Sequence, residues 1–331
     1  MTEFIFITAN DIHISDDGPR GRIDDFKETV LGKLRQMCMA CTKLGADGAI
    51  IAGDLYNLKH PAKNSHRLNQ ELIKVFREYP CPIYMIEGNH DLTANRLESL
   101  TDQPLGVLFL DNTLKQLRHE IIEKDGHKVS LVGVPFQEGL DLNTVTIPDR
   151  AGCVSQICAM HLYAGIKGGM LFKERLYGYD ELSAFSPDIF VIGHYHLDQG
   201  VYNLADKYFI NIGSMSRGTT SEEDIAHHPQ IGLIRITVDD STPEKIEVTR
   251  KIQSIRLKIR PAHEVFDLVK KEEEKKESVE IQQFVEKLAA ETVKNSSESA
   301  KDIDEIINKM GLAKIIYDRV LGFIHEAKTR K

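Results

Sequence analysis

The sequence predicts an α/β protein, a layered architecture built on buried sheets. Three observations predict it. Short apolar runs recur through the first 200 residues, helical spacing of apolar positions fills the gaps between the early runs, and turn-forming residues punctuate both. At 331 residues, with 41% hydrophobic and 28% charged, the chain can bury a large domain plus an appendage, or two domains.

"FIFITAN" reads as the first strand, and residues 24–44 as the helix after it, with Val30, Leu31, Leu34, Met37 and Leu44 on one stripe. Cys38 and Cys41 form a C-x-x-C pair but continue that stripe. No second pair completes a zinc site, so they are assigned to the core. "GAIIAGD" is the second strand, 64–79 the second helix and "CPIYMIEGNH" the third strand. "KVSLVGVP", "QICAMH", "DIFVIGHYH" and "KYFINIGS" follow as further strands. "PQIGLIRITVDD" and "KIEVTRKIQSIRLKIR" read as antiparallel strands closing the sheet, which ends the main domain, 1–255. Residues 256–331 form a second region whose texture changes from about 261 to charged and helical. Val265, Phe266 and Val269 make one stripe; Ile281, Phe284, Val285 and Leu288 make another. "KNSSESAKD" reads as a loop and "GLAKIIYDRVLGFIHEAK" as a last amphipathic helix. A cap folded on the main domain and a docking element for a partner helix or coiled coil both fit this pattern.

Composition excludes several classes. No run of about 18 apolar residues is present to span a membrane. "MTEFIFITAND" reads as a strand rather than a signal peptide, and the expected location is the cytoplasm. Five cysteines, an odd number in a long chain, argue against a disulfide framework. The net charge is −8: residues 1–250 hold 25 basic and 35 acidic side chains, and 251–331 hold 17 and 15. That is not the electrostatic footprint of a stand-alone nucleic-acid binder, so any such role rests on bound cations, local basic loops or a partner. No G-x-x-x-x-G-K-[ST] loop is present for ATP.

The chemistry is concentrated where apolar runs stop. They end in Asp11-Ile12-His13, Gly53-Asp54, Gly88-Asn89-His90-Asp91, His161 and Gly193-His194-Tyr195-His196. Five runs deliver Asp, Asn and His to strand carboxyl ends, the edge where open α/β sheets hold ligands. Residues two apart in an extended chain point the same way, so Asp11 with His13, and His194 with His196, are expected to converge. Imidazoles mixed with carboxylate and amide oxygens suit first-row transition ions better than Mg²⁺ or Ca²⁺. Seven candidate ligands (Asp11, His13, Asp54, Asn89, His161, His194, His196) are too many for one tetrahedral ion and fit two ions sharing a carboxylate. Such a pair, roughly 3.5–4 Å apart, activates water and clamps a phosphate oxygen during in-line displacement.

The same order of motifs, D-x-H, GD, GNHD, H and GH-x-H, resembles the signature of the calcineurin-like metallophosphoesterase superfamily over roughly the first 215 residues. The resemblance implies a four-layered α/β/β/α sandwich, here with a C-terminal helical extension. It implies that Asp11, His13, Asp54 and His196 hold one ion and Asp54, Asn89, His161 and His194 the other, with Asp54 bridging. His90 would serve the leaving oxygen, and Asp91 would orient its imidazole. "GDLYNLKHPAKNS" and Asp91 depart from the protein phosphatases, which carry Asp-Arg-Gly after GD and Glu after GNH. "IIAGDLYNLKHPAKNS", "YMIEGNHD", "HLYAG" and "YFINIGSMSRGT" are instead similar to DNA repair nucleases of the SbcD and meiotic recombination 11 type. Archaeal and eukaryotic members of that type carry His where this chain has Asn57. That branch implies Mn²⁺ as the metal, DNA as substrate and an SbcC-like coiled-coil ATPase as partner, gripped by the C-terminal helices; the oligomeric state is left open, a homodimer being one option. Candidate DNA contacts are Arg20, Arg22, Arg96, Lys173 and Arg175, the last two interleaved with Phe172 and Tyr177. A free-standing phosphodiesterase for a nucleotide or other small ester is the alternative.

Overall fold

The computed structural model describes residues 1–281 except 151, 172, 242–245, 277 and 280. Phe172, most of the second apolar stripe of the C-terminal region and the expected last helix lie outside the described residues. One compact unit spans Met1–Phe266, and a second begins at Asp267.

In chain order the elements are β1 (Thr2–Ala9), α1 (Phe26–Leu44), β2 (Gly48–Ile51), α2 (His66–Arg77), β3 (Ile83–Met85), α3 (Pro104–Leu110) and β4 (Lys115–Gln116). Then come β5 (His119–Lys124), β6 (His127–Val134), β7 (Ser155–His161), β8 (Ala164–Gly165), β9 (Gly169–Leu171), β10 (Glu174–Gly178) and α4 (Tyr179–Ser183). Last are β11 (Ile189–Gly193), β12 (Asp198–Leu204), β13 (Lys207–Ile212), α5 (Glu222–Ala226), β14 (Gln230–Asp239), β15 (Glu247–Arg256) and α6 (Ala262–Val265).

Two six-stranded sheets carry the fold, in the orders β15-β14-β1-β2-β3-β4 and β12-β13-β11-β7-β6-β5. Their centres are parallel: β1, β2 and β3 in the first, and β6, β7, β11 and β13 in the second. β14 and β15 add antiparallel strands beside β1, as the alternating sequence of that segment requires.

Strand parity sorts side chains into layers. Phe4 and Phe6 of β1, with Ile50 and Tyr84, face the second sheet and pack with Val129, Leu131, Ile157, Ile189, Val191 and Ile210. The intervening Ile5 and Ile7, with Ile51 and Met85, face outward onto Val30, Leu31 and Leu34 of α1 and Leu68 and Leu72 of α2. On the far side of the second sheet, Cys158, Met160, Phe190, Ile192 and Phe209 are covered by Tyr177, Tyr179 and Leu182. The expected α/β/β/α order is present, but its fourth layer is thin: the five-residue α4, the small β8-β10-β9 sheet and a loop stand where the first layer has full helices.

The helix ends are locally encoded. Asp25 caps α1 by accepting from Glu28 N, and Gly45 closes it in the left-handed conformation; Ser65 caps α2 through Leu68 N. Cys38 and Cys41 are buried against the first sheet, and all five cysteines are free thiols. No helix of the described residues is long and apolar enough to cross a membrane.

Candidate metal centre

The carboxyl ends of β1, β2, β3, β7 and β11 meet at one edge of the sandwich. There the two sheets are joined by polar groups instead of by apolar packing. Asn10 Nδ2 donates to the carbonyl of Ile192 at 2.9 Å, and the His194 N–H donates to both Asp11 carboxylate oxygens at 2.9 and 3.1 Å. His161 Nδ1 lies 2.8 Å from the Ala52 carbonyl. Ser214, just past β13, donates from Oγ to the Asp11 carbonyl at 2.8 Å.

The ligand-bearing segments are not extended strands. β1 stops at Ala9, and Asp11 and His13 follow with φ of 49° and 50°; Asp54 has φ 54° and His194 φ 85°. Four non-glycine residues in the left-handed region is the kind of backbone strain that a surrounding fold holds in place at functional sites. Hydrogen bonds hold it here: Asp11 N to Gly53 O, His13 N to Asp54 O, Ile14 N to Leu55 O and Asn57 N to Ile14 O zip the tails of β1 and β2 together. Asp11 and His13 therefore converge through left-handed turns, not through strand alternation. His194 and His196 face different ligand groups.

Two groups form. Asp11, His13, Asp54 and His196 place one ligand atom each within 4.8 Å of one another, and so do Asp54, His161 and His194. Asn89 joins the second group, its Oδ1 lying 3.2 Å from His161 Nε2. Asp54 is common to both. Its Oδ1 accepts from the His90 N–H at 2.7 Å, while the buried Oδ2 has no hydrogen-bond donor and stands 3.5 Å from His13 Nε2 and 3.4 Å from His161 Nε2. His13 Nε2 and His196 Nε2 are 2.9 Å apart. An orphaned buried carboxylate oxygen among inward-facing imidazole nitrogens fits divalent cations, which would satisfy all of them at once.

Electrostatics point the same way. Burial, opposed by Asp54, presses His13 well below the usual histidine range, and burial together with His161 lowers His194 to about 3. Both rings are then neutral, the form that ligates metal. Burial acts against the charged forms of Asp54 and His161 too, but each carries the other: Asp54 is held well below the carboxylate range and His161 is raised to about 9.

Close approach explains two glycines. Gly53 has φ 88°, and a Cβ there would overlap His161 Nδ1; a Cβ on Gly88 would overlap the Asp54 carboxylate.

His90 stands beside the first group, its ring 4.7 Å from that of His13. Its orienting partner is not Asp91. His90 Nδ1 meets the Asn57 carbonyl at 2.7 Å, whereas Asp91 accepts from the Tyr56 and Gly88 N–H groups at 3.1 and 3.0 Å. Asp91 is fully buried, and burial followed by repulsion from Asp54 raises its pKa to about 8. It organises the turn that presents Asn89 and His90. A residue with short spacing to a histidine reads as its orienter in sequence, but the turn directs its carboxylate at backbone.

Two cavities flank the groups. One of 280 Å³ beside His161 and His194 is lined by Phe136, Tyr163, Tyr177, Lys173, Glu174 and Arg175. One of 170 Å³ beside His13, His90 and His196 is lined by Asn57, Ser214, Ser216 and Thr219. Lys173 and Arg175 are thus brought to the site, Arg175 stacking over Tyr177 and pairing with Glu181. Arg20 and Arg96 are exposed. Arg22 is not available to a ligand. Its side chain is 1% exposed, sits 5.0 Å from both the Phe26 and Phe266 ring centroids, pairs with Asp24 at 2.7 Å and donates to the Arg217 carbonyl at 2.7 Å. Sequence reasoning missed Glu174, whose Oε2 is 3.3 Å from His194 Nε2, and Tyr163, whose ring lies 4.0 Å from that of His194. Nothing local in the sequence marks either; both follow from the path of the chain after β7. His227 and His228 meet the Ser214 and Leu257 carbonyls at 2.6 and 2.9 Å.

The profile of the calcineurin-like phosphoesterase family matches residues 6–212, more than half of the chain. Among solved structures, the calcineurin-like phosphoesterase YfkN from Bacillus subtilis aligns at 12% identity and TM-score 0.48 over 76% of this chain and 90% of its own. A dimetal phosphatase from Danio rerio aligns at 12% identity and TM-score 0.46, covering 78% of this chain and 99% of that one. TT1561 of Thermus thermophilus aligns at 13% identity and TM-score 0.43, covering 75% and 99%.

Proposed function

The chain belongs to the calcineurin-like phosphoesterase family, and from that premise we propose that it hydrolyses DNA backbone phosphodiesters as the nuclease subunit of an assembly with an SbcC-like coiled-coil ATPase. The observation that carries the phosphodiesterase reading is the pair of ligand groups sharing Asp54, with His90 at their side. When bound, two divalent ions, Mn²⁺ in this reading, supply Lewis acidity to a phosphoryl oxygen and make water nucleophilic near neutral pH. Asp11, His13, Asp54 and His196 would hold one; Asp54, Asn89, His161 and His194 the other.

The chain's own groups do the rest. His90 gives its Nδ1–H to the Asn57 carbonyl, which turns Nε2 toward the leaving oxygen. Asp91 fixes the turn that carries it. Arg20, Arg96, Lys173 and Arg175 are the exposed cations for backbone phosphates, and Tyr163 offers a face on which a base can stack. Three sequence features support the nuclease branch: the "GDLYNLKHPAKNS" and "YFINIGSMSRGT" segments, a chain without an ATP-binding P-loop, and the charged segment 261–331 as grip for the ATPase coiled coil. A homodimer and a cytoplasmic setting complete this reading.

Residues 1–250, with 25 basic against 35 acidic side chains, favour a second reading: a phosphodiesterase for a nucleotide or other small ester. Hydrolysis with Mn²⁺ of a linear duplex bearing single-stranded ends, beside bis-p-nitrophenyl phosphate, separates the two. Cleavage of both, lost in Asp54→Ala, is the expected result. Cleavage of the small ester alone, with no salt-sensitive affinity for DNA, overturns the nuclease reading.

A further inference from the structure

The rings of the site are not all held in the same way. His161 and His90 each present Nδ1 to a backbone carbonyl, of Ala52 and Asn57, at 2.8 and 2.7 Å. His161 then directs Nε2 inward, 3.4 Å from Asp54 Oδ2 and 3.2 Å from Asn89 Oδ1. His194 is arranged the other way round: its Nε2 faces outward to a side chain, Glu174 Oε2, at 3.3 Å. We propose that Glu174 is a positioning residue for His194, accepting its Nε2–H and so reserving Nδ1 for the cation held with Asp54, His161 and Asn89. The proposal rests on the two-cation reading above.

A neutral imidazole has one N–H and one lone pair, and the partner of the N–H decides which nitrogen ligates. The other contacts of His194 fix the plane of its ring and not its proton. Tyr163 lies against it at 4.0 Å between centroids and 48° between planes, and Phe136 at 5.3 Å and 51°. The backbone N–H is committed to Asp11. Glu174 supplies the acceptor.

The hairpin that carries Glu174 is tied to the site it serves. Lys173, with φ 70°, turns the chain so that Glu174 pairs with Leu171. At the base, Tyr177 and Gly178 pair in parallel with Ala164 and Gly165, and Tyr177 N donates to the Tyr163 carbonyl at 2.9 Å. Gly178 N donates to Glu181 Oε1 at 2.9 Å. β8 begins three residues after His161, so the chain that leaves one ligand of the second group goes straight on to anchor the hairpin that sets the proton of another. The Glu174 side chain is 53% exposed, so its replacement does not threaten the core.

The test uses the full chain with Glu174→Ala, Glu174→Gln and Glu174→Asp. Ring ¹⁵N shifts of His194 in the metal-free protein report the tautomer, and calorimetry with Mn²⁺ reports the two binding steps. The expected result is a single Nε2–H tautomer in the wild type and in Glu174→Gln, which keeps an oxygen acceptor, but a mixture in Glu174→Ala. Affinity for one of the two ions falls about 10- to 100-fold in Glu174→Ala with the other step unchanged, and Glu174→Asp recovers part of the loss. An Nδ1–H tautomer in the wild type, or an unaltered tautomer and affinity in Glu174→Ala, overturns the proposal. A wild type that binds fewer than two ions overturns the two-cation reading on which it rests.

Discussion

The two ligand groups share one carboxylate and differ in nearly everything around it. The first ends in His196, which is exposed, and opens on a small cavity lined by His90, hydroxyl side chains and Phe26. The second is buried at Asp54, His161 and His194 and is walled by Phe136, Tyr163 and Tyr177. The first half is where a leaving group can meet a proton donor and water. The second adds a buried staple between the two sheets, since His161 reaches across to the Ala52 carbonyl and Gly53 lies against its ring. Substitutions of the groups that line the first cavity without ligating, such as His90, should therefore act on rate, and those of the second group's ligands on stability and metal retention.

The largest effect that would break or confirm this division is His90→Ala. Its ring touches the first group without belonging to it. Hydrolysis should fall by about 10²–10⁴-fold, the range for loss of a general acid, while calorimetry still counts two Mn²⁺ ions and the melting temperature is unchanged. Loss of an ion instead would make His90 a ligand and dissolve the contrast between the halves.

Next in size is a test of which cations serve a substrate. Arg22 was named from sequence as a candidate DNA contact, together with Arg20 and Arg96. What separates them is not local: Phe266, Arg217 and Asp24 enclose Arg22, and Arg217 and Phe266 lie 195 and 244 residues further along the chain. Arg22→Ala should cost about 3 kcal/mol or more of stability, as breaking a buried ion pair does, and leave the salt dependence of DNA affinity unchanged. Arg96→Ala should leave stability within about 0.5 kcal/mol and lower that salt slope. Denaturant melts and titrations at several ionic strengths distinguish the two patterns.

Much of the site was readable because its ligands stand where buried strands must end, and burial patterns survive without knowledge of the partner strands. Asp11, His13, Asp54, Asn89, His161, His194 and His196 all arrive at the edge. The four-layer order was what the family resemblance implied, and the opposite packing of Phe4 and Phe6 against Ile5 and Ile7 realises it. Three things were not. The carbonyl that orients His90 belongs to Asn57, and a backbone acceptor leaves no trace in residue type. Asp91 is adjacent to His90 but is turned toward two N–H groups by a tight turn. Glu174 reaches His194 only because a hairpin after β8 folds back over the site, and that hairpin is too short for periodicity to reveal.

Smaller than the loss expected of Arg22→Ala is an effect on stability that tests the second half alone. Gly53 combines φ 88° with a place where a Cβ would overlap the ring of His161. Gly53→Ala faces both costs: a non-glycine residue in the left-handed region, about 1–3 kcal/mol, and a steric push on a ligand that also ties the sheets together. Relaxation can relieve the second cost only by moving His161 away from Ala52 O, from Asp54 Oδ2 or from Asn89 Oδ1. The variant should therefore lose about 2 kcal/mol in the metal-free protein, measured by denaturant melts. It should lose more in excess Mn²⁺, because a displaced His161 also forfeits part of the stabilisation that a bound ligand confers on the native state. Equal losses with and without Mn²⁺ would mean that His161 staples the sheets without holding a cation. The second half of the site would then be structural alone.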